Sequence, residues 1–167
     1  MLIFVFVGKY NILVIYRMIK EVSSARRKQE KNSVYKADQI YGTQKENELL
    51  PILNKFFNLE LKPTKNYFVF DYEAPNMYIE LKSRRNQKNR YDTTLVGKNK
   101  LDYAETCGKD VYFIFSFTDG LYYWKYNKSD IGDKITFDKG GRFDRGRVEV
   151  KMYAYISVDI LLPIAEN

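Results

Sequence analysis

An aspartate and a Glu-x-Lys triplet, with eight residues between them, lie in one aromatic stretch of the chain, YFVFDYEAPNMYIELKSRR, residues 67 to 85. Because side chains alternate between the two faces of an extended strand, Glu80 and Lys82 share one face and the apolar Ile79 and Leu81 share the other. We expect the apolar face to pack in the core. The charged face would then remain open for chemistry.

The residues before the triplet predict how the aspartate reaches it. Tyr67 to Asp71 is aromatic and β-branched enough to predict a strand, and Glu73-Ala-Pro-Asn predicts a turn after it. A hairpin formed by these two strands would place Asp71 beside Glu80.

Two carboxylates at one edge of a sheet repel each other unless a cation joins them. Oxygen ligands of this kind suit Mg²⁺, and Mn²⁺ is expected to substitute for it. Mg²⁺ usually keeps several waters, which leaves room for a phosphate oxygen and an attacking water. Lys82 could orient that water or offset charge on the phosphate. Asp71, Glu80 and Lys82 together therefore favour a metal-dependent nuclease.

Asp71 followed at this spacing by Glu80-Leu81-Lys82 resembles the PD-(D/E)xK nuclease superfamily, although Phe70 stands where the family has proline. The resemblance extends over residues 42 to 117. It implies a restriction-endonuclease-like α/β fold, with a mixed central sheet, an αβββαβ core and additional C-terminal strands. It also implies metal ligation by Asp71, Glu80 and the carbonyl of Leu81.

The resembled family also carries a glutamate on the helix before the strands. Apolar residues recur at helical spacing after Gly42, and Glu46 lies on their inward side, so it is the first candidate. However, Thr43-x-x-Glu46 also fits a capping box, in which Glu46 would only bond the helix start. Glu48 is then the alternative. Pro51 predicts a kink or a later helix start.

The elements after the triplet are predicted as a basic loop, a helix from Gly97 to Thr106 and a buried strand from Val111 to Phe117. The resemblance implies that this helix sends a side chain toward the substrate, for which Lys100 is the candidate. Thr118-Asp119-Gly120 predicts a hairpin turn, and Tyr153 to Ile164 a closing strand.

Two other Glu-x-Lys triplets occur. Glu60-Leu61-Lys62 is followed directly by Pro63, which predicts a strand end or turn. Glu149-Val150-Lys151 alternates as a half-exposed strand does. Glu80 differs from both because an aspartate-ended strand precedes it and a basic segment follows it.

The absence of histidine excludes His-Asp-Ser triads, Cys-His proteases, histidine phosphotransfer and His-metal nucleases. The single cysteine, Cys107, excludes intrachain disulfides and cysteine-based zinc sites. A hydrolase built from this chain must therefore use carboxylates, lysine and a metal, without a small-molecule cofactor.

A formal charge of +7 and a pI near 9.3 indicate a polyanionic partner, and charge alone is compatible with DNA, RNA or a membrane surface. The nuclease resemblance favours DNA. Six basic residues and one acidic residue lie between residues 84 and 100, directly after the triplet. The predicted DNA-binding residues are Arg84, Arg85, Lys88, Arg90, Lys98 and Lys100. A second basic segment, a flexible loop around Gly140 and Gly141 with Arg142, Arg145 and Arg147, either reaches DNA or is a solvated turn.

Residues 1–19 are apolar but interrupted by Lys9 and Arg17, which argues against a membrane span. A strand hairpin and a start artefact, with Met18 as the true beginning, rank above a membrane anchor. Residues 21–36 predict a solvated helix or arm with nonspecific phosphate contacts. Residues 20–167 are expected to form one nuclease-like domain.

The leading prediction is an intracellular, soluble Mg²⁺-dependent endonuclease acting on DNA, with branched or otherwise structured DNA as candidate substrates. A homodimer would suit cleavage of both strands. The alternatives are an inactive nucleic-acid-binding module on the same fold, a ribonuclease-H-type nuclease, which would not need Lys82, and a membrane-tethered interaction protein.

Overall fold

In the computed structural model, the described residues are 12–142 and 149–165. Within them the chain forms two helices and nine strands. In chain order these are α1 (Ile12–Phe57), β1 (Lys62–Pro63), β2 (Tyr72–Ala74), β3 (Met77–Ser83), β4 (Thr93–Gly97), α2 (Lys98–Thr106), β5 (Asp110–Phe117), β6 (Gly120–Lys125), β7 (Ile135–Arg142), β8 (Glu149–Ser157) and β9 (Leu162–Pro163).

The strands form two sheets. The larger sheet has the order β1-β2-β3-β5-β6-β9, and the smaller one has the order β4-β8-β7. β3 and β5 run parallel, from Met77 opposite Asp110 to Ser83 opposite Ser116. All other pairings between named strands are antiparallel. The predicted α/β fold with a mixed central sheet is confirmed.

The larger sheet is covered on both faces. On one face Leu49 and Leu53 of α1 pack against Ile79 and Leu81 of β3. On the other face lies a second cluster, formed by α2, the smaller sheet and aromatic residues of the larger sheet. The carboxyl ends of the parallel strands therefore lie between α1 and the smaller sheet, and this arrangement positions the candidate site.

α1 corrects three predictions. It runs unbroken for 46 residues from Ile12, so residues 12–19 are helical rather than a strand hairpin, while residues 1–11 lie outside the described chain. The helix continues through Thr43. Because no helix begins there, Thr43 and Glu46 do not form a capping box. Pro51 lies inside the helix, between the buried residues Leu49 and Leu53, so the later helix start predicted from Pro51 is wrong. In the described segments, neither helix combines the length and the apolar character needed to cross a bilayer.

The prediction of a strand from Tyr67 to Asp71 is wrong. Tyr67 has a φ of 69°, which a strand does not permit, and the strand begins only at Tyr72. The aromatic residues reflect packing instead, since Phe70 is fully buried and its ring stacks on Tyr78. The predicted hairpin still forms, with Ala74 opposite Met77 across the turn.

Three further elements can be compared with the prediction. α2 and β5 lie where they were expected, and the Thr118-Asp119 turn leads into β6. The basic loop contains β4, which the sequence did not predict. Gly140 and Gly141 belong to β7 and pair with β8, so they are not part of a flexible loop. Arg145 and Arg147 lie outside the described residues.

Candidate active site

Four charged side chains meet at the predicted position on the larger sheet. Glu80 of β3 is paired with two lysines, Lys82 from the same strand and Lys100 from α2. Asp71 lies immediately before β2, and its backbone amide donates a 3.0 Å hydrogen bond to the carbonyl of Ile79. The hairpin thus places Asp71 beside β3, as the spacing of the residues predicted.

Glu80 is buried more deeply than expected. Its exposed fraction is 0%, so the charged face of β3 is covered by α2 rather than open to solvent. Oε2 accepts a 2.9 Å hydrogen bond from Lys100 Nζ. Oε1 forms a close ion pair with Lys82 Nζ, yet among the described residues it accepts no hydrogen bond of regular geometry. A buried carboxylate oxygen without a regular partner is a candidate ligand atom.

Asp71 is held by the backbone of β3. The amide of Leu81 donates a 2.7 Å hydrogen bond to Asp71 Oδ2. Burial and the neighbouring Glu80 nevertheless raise the pKa of the Asp71 carboxyl from 3.8 to about 6, against the opposing effects of Lys82, that hydrogen bond and Lys100. The site therefore disfavours two adjacent negative charges in the absence of a cation.

Lys82 remains a cation despite its surroundings. Burial alone would lower the pKa of its ammonium group, but Glu80 and Asp71 more than offset this, so the pKa is raised. The side chain keeps 31% of its surface exposed. Its Nζ also lies 3.3 Å from the carbonyl oxygen of Leu81. Lys82 thus links the buried carboxylate to the surface.

Lys100 points inward. Besides its bond to Glu80, its ammonium donates a close hydrogen bond to the carbonyl of Val69, and it lies 5.8 Å from the centre of the Phe70 ring. The sequence placed Lys100 on the correct helix. Its contacts are with Glu80 and with the segment that carries Asp71.

Glu46 and Glu48 are separated by the structure. Glu48 is exposed and forms an ion pair with Lys45 at 2.8 Å. Glu46 is half-buried and lines the cleft that also contains Leu81 and Lys82. The hydroxyl of Tyr72 donates a 2.8 Å hydrogen bond to the backbone carbonyl of Glu46, which fixes this turn of α1 against β2. Glu46 is therefore the helix glutamate on the side of the site.

The residues present suit a hard divalent cation. Asp71 and Glu80 supply carboxylate oxygens, and the carbonyl of Leu81 follows Glu80 directly on the same strand. The buried Oε1 of Glu80 and the raised pKa of Asp71 are both features that a cation would relieve. Over residues 12–142 and 149–165, no cluster of three or more Asp, Glu, Cys or His side chains is present. Mg²⁺ is typically bound through one or two protein carboxylates, so Asp71 and Glu80 suffice.

A cleft of about 710 Å³ opens next to Lys82. Its walls come from α1, the end of β3, β4, and the β7 and β8 strands of the smaller sheet. Tyr41, Tyr153 and Tyr155 contribute aromatic surface, and Arg84 and Arg85 contribute cations.

The predicted DNA-binding residues divide into groups. Arg84 and Arg85 line the cleft. Lys88 and Arg90 lie in a 3₁₀ turn beyond it, near the rings of Tyr122 and Tyr91 respectively. Lys98 pairs with Asp102 on the surface of α2, and Lys100 faces Glu80. Contact with DNA remains a prediction for all six residues.

The two other Glu-x-Lys triplets lie elsewhere in the fold. Glu60 is exposed just before the two-residue edge strand β1. The Glu149 triplet lies in β8, where Val150 is opposite Gly141 of β7 in the smaller sheet. Neither triplet therefore lies in the β2–β3 hairpin that brings Asp71 beside Glu80.

Comparison with protein-family models matches the chain to the family described as "Phage putative PDDEXK endonuclease", over residues 43–162. This covers more than half of the chain and includes Asp71, Glu80 and Lys82. The chain belongs to this family. The PD-(D/E)xK resemblance is thereby confirmed, and membership supports a nuclease. No curated protein and no solved structure shows a significant match to the chain.

Sequence reasoning missed two features of this PD-(D/E)xK site. One is the inward orientation of Lys100, which depends on how α2 packs on β3 and has no local signal. The other is the tyrosine wall of the cleft, to which the high tyrosine content of the chain was the available pointer.

Proposed function

We propose that this chain is an Mg²⁺-dependent endonuclease that hydrolyses phosphodiester bonds in DNA. The observation that carries the proposal is the convergence of Asp71, Glu80 and Lys82 at one point of the larger sheet. Lys82 pairs with Glu80, and both Glu80 and Lys82 act electrostatically on Asp71. This set of residues is the one expected for metal-assisted phosphodiester hydrolysis in the family to which the chain belongs.

Asp71, Glu80 and the carbonyl of Leu81 would hold the cation. When bound, Mg²⁺ supplies a Lewis acid for the phosphate and a water of lowered pKa, and Mn²⁺ is expected to replace it. The hydrogen bond from the Leu81 amide orients Asp71. Lys100 restrains the Glu80 carboxylate through Oε2.

Lys82 and Glu46 would act on the substrate side. The partly exposed ammonium of Lys82 borders the cleft, where it can offset negative charge on a phosphate or orient a water. Glu46 lines the same cleft, where its carboxylate can accept a hydrogen bond from a water near the phosphate.

The experiment is incubation of the full chain with supercoiled, linear and four-way-junction DNA, in Mg²⁺ or in EDTA. We expect cleavage in Mg²⁺ and no cleavage in EDTA. Asp71→Asn and Glu80→Gln should abolish cleavage while DNA binding is kept or strengthened, because repulsion of the phosphates falls. Glu60→Gln and Glu149→Gln are the matched controls and should remain active.

Three outcomes would contradict the proposal. Cleavage that persists in EDTA would show that the reaction does not depend on a metal. Wild-type cleavage rates in Asp71→Asn or Glu80→Gln would show that these residues are not the catalytic ones. Binding of DNA without cleavage under any metal would instead indicate an inactive binding module on this fold.

A further inference from the structure

The cleft beside Lys82 has an aromatic wall on the smaller sheet. Ala154 and Ile156 of β8 are fully buried in the core. The alternate residues Tyr153 and Tyr155 therefore face away from the core, and both line the cleft while remaining half-buried. Tyr41 of α1 also lines the cleft.

Gly140 makes room for this wall. A Cβ atom at Gly140 would lie 2.9 Å from Cδ2 of the Tyr153 ring and 3.3 Å from the Tyr155 hydroxyl oxygen. The first distance is shorter than van der Waals contact permits, so the ring of Tyr153 lies where a side chain on β7 would be. The absence of a side chain at Gly140 thus leaves the Tyr153 ring space to lie in the cleft.

Cations are held at fixed positions in the same cleft. Arg85 Nη1 lies 3.2 Å from Asp38 Oδ1, and its guanidinium group lies 4.6 Å from the centre of the Tyr41 ring. Arg84 Nε donates a 3.2 Å hydrogen bond to Thr94 Oγ1. The cleft thus combines aromatic rings with guanidinium groups, which is the pairing used to bind single-stranded nucleic acid.

The size of the cleft suits a short segment of a single strand. A volume of about 710 Å³ is within the range of pockets that enclose small molecules, and it suits about one or two nucleotides. A base can stack on a tyrosine only when it has left a duplex, because paired bases already stack on each other.

We propose that this cleft holds an unpaired segment of the DNA substrate, with a base stacked on Tyr153 and a neighbouring phosphate beside Lys82. The inference rests on the proposed function and narrows it. The substrate class is DNA in which a single-stranded segment adjoins the cleaved bond, such as a flap, an overhang or the open centre of a branched molecule.

The test measures binding by the full chain in EDTA, so that no cleavage occurs. The probes are a labelled oligothymidylate of about ten nucleotides and a fully paired duplex. Tyr153→Ala should weaken oligothymidylate binding by about 5- to 150-fold, as expected for the loss of a stacked base, and should leave duplex binding unchanged. Tyr153→Phe keeps the ring and should bind as the wild type does. Tyr123→Ala, which alters a half-buried tyrosine on β6 away from the cleft, is the matched control.

Gly140→Ala provides a second variant that keeps every tyrosine. The φ angle of Gly140 is outside the left-handed region, so alanine strains no backbone; its methyl group displaces the Tyr153 ring and also crowds the Tyr155 hydroxyl. It should weaken oligothymidylate binding in the same direction. A probe containing 2-aminopurine should lose fluorescence when bound to the wild type, because stacking quenches it, and should keep more of its fluorescence with Tyr153→Ala.

Unchanged oligothymidylate affinity in both Tyr153→Ala and Gly140→Ala would overturn the inference. Equal losses in Tyr153→Ala and Tyr153→Phe would also overturn it, since the hydroxyl would then matter rather than the ring, and so would an equal loss for the duplex. With Mg²⁺, equal cleavage of flapped and fully paired DNA would overturn the narrowed substrate class but leave the nuclease intact. Absence of cleavage on every DNA would count against the proposed function. The binding measurements in EDTA would still test whether the cleft holds single-stranded DNA.

Discussion

The backbone amide of Leu81 donates a 2.7 Å hydrogen bond to Oδ2 of Asp71, and thereby joins the two parts of the motif. The bond orients Asp71 toward the strand that carries Glu80. It does not fully offset the cost of the carboxylate charge, because burial and Glu80 still raise the pKa of Asp71 to about 6. Without a cation, the site therefore holds a destabilising charge at neutral pH.

Replacing Asp71 with asparagine should stabilise the metal-free protein. Asparagine keeps an oxygen for the Leu81 amide but carries no charge, and a pKa raised from 3.8 to about 6 corresponds to a free-energy cost on the order of 2–3 kcal/mol at neutral pH. The melting temperature in EDTA should rise by several degrees. Asp133→Asn, at an exposed position, is the control and should change little. A lower melting temperature for Asp71→Asn would show that the charge is favourable in this site.

The same carboxyl predicts a pH dependence. Because its pKa is raised on folding, its contribution to stability is fully present below about 3.8 and is lost as the pH rises through about 6. Mn²⁺ binding should show the opposite trend, since the metal needs the charged form, and should weaken by up to about tenfold per pH unit below about 6. Calorimetric titration across this range measures it. An Mn²⁺ affinity that is independent of pH would show that Asp71 is not a metal ligand.

Lys82→Ala should lower the single-turnover cleavage rate by on the order of 10² or more, because a charge aimed at the phosphate is removed. Mn²⁺ affinity should change little, since lysine is not a ligand. Lys82→Arg should rescue poorly, because a broad guanidinium group replaces a compact ammonium group beside Glu80. Full activity in Lys82→Ala would favour a ribonuclease-H-type mechanism.

Lys100→Met should destabilise the fold more than an ordinary surface change. It removes the 2.9 Å partner of a carboxylate that has no exposed surface, a loss of about 3 kcal/mol for a broken buried pair. Lys98→Met on the same helix breaks a partly exposed pair with Asp102 and should cost less than about 1 kcal/mol. Urea unfolding in EDTA compares the two variants. Equal stability would mean that Lys82 alone satisfies Glu80.

The basic segment after β3 should control the salt dependence of DNA binding. Four of its residues should be neutralised together, namely Arg84, Arg85, Lys88 and Arg90. The slope of log affinity against log salt should flatten by up to about 0.9 for each DNA phosphate that the variant no longer neutralises, equally across DNA sequences. Neutralising Lys125 and Lys128, on the β6 side of the molecule, is the control. An unchanged slope in the fourfold variant would place the DNA elsewhere.

The part of the site that the sequence predicted is the part that is local. Asp71, Glu80 and Lys82 lie within one hairpin, where alternation along β3 fixes which side chains share a face. The burial of Glu80 was not predictable in this way, because it depends on α2, which reaches the site through Lys100. The smaller sheet was also missed, since β4 pairs with β8 across a separation of some sixty residues. β4 is only five residues long, so the strand propensity of its Thr and Val residues is a weak signal.

The N-terminal and C-terminal parts of α1 should differ in stability, because only the C-terminal part packs on the rest of the fold. At 1.5 Å per residue its 46 residues extend about 69 Å, yet among the α1 side chains whose burial is described, the buried ones begin only at Leu49. From residue 16 to 37 the described side chains are exposed, apart from the half-buried Ser23. A helix without tertiary packing is marginal in water. The backbone amides of α1 should therefore exchange with deuterium within seconds near Tyr16 and only through global unfolding near Leu53. The free energy of opening should thus increase along this one continuous helix.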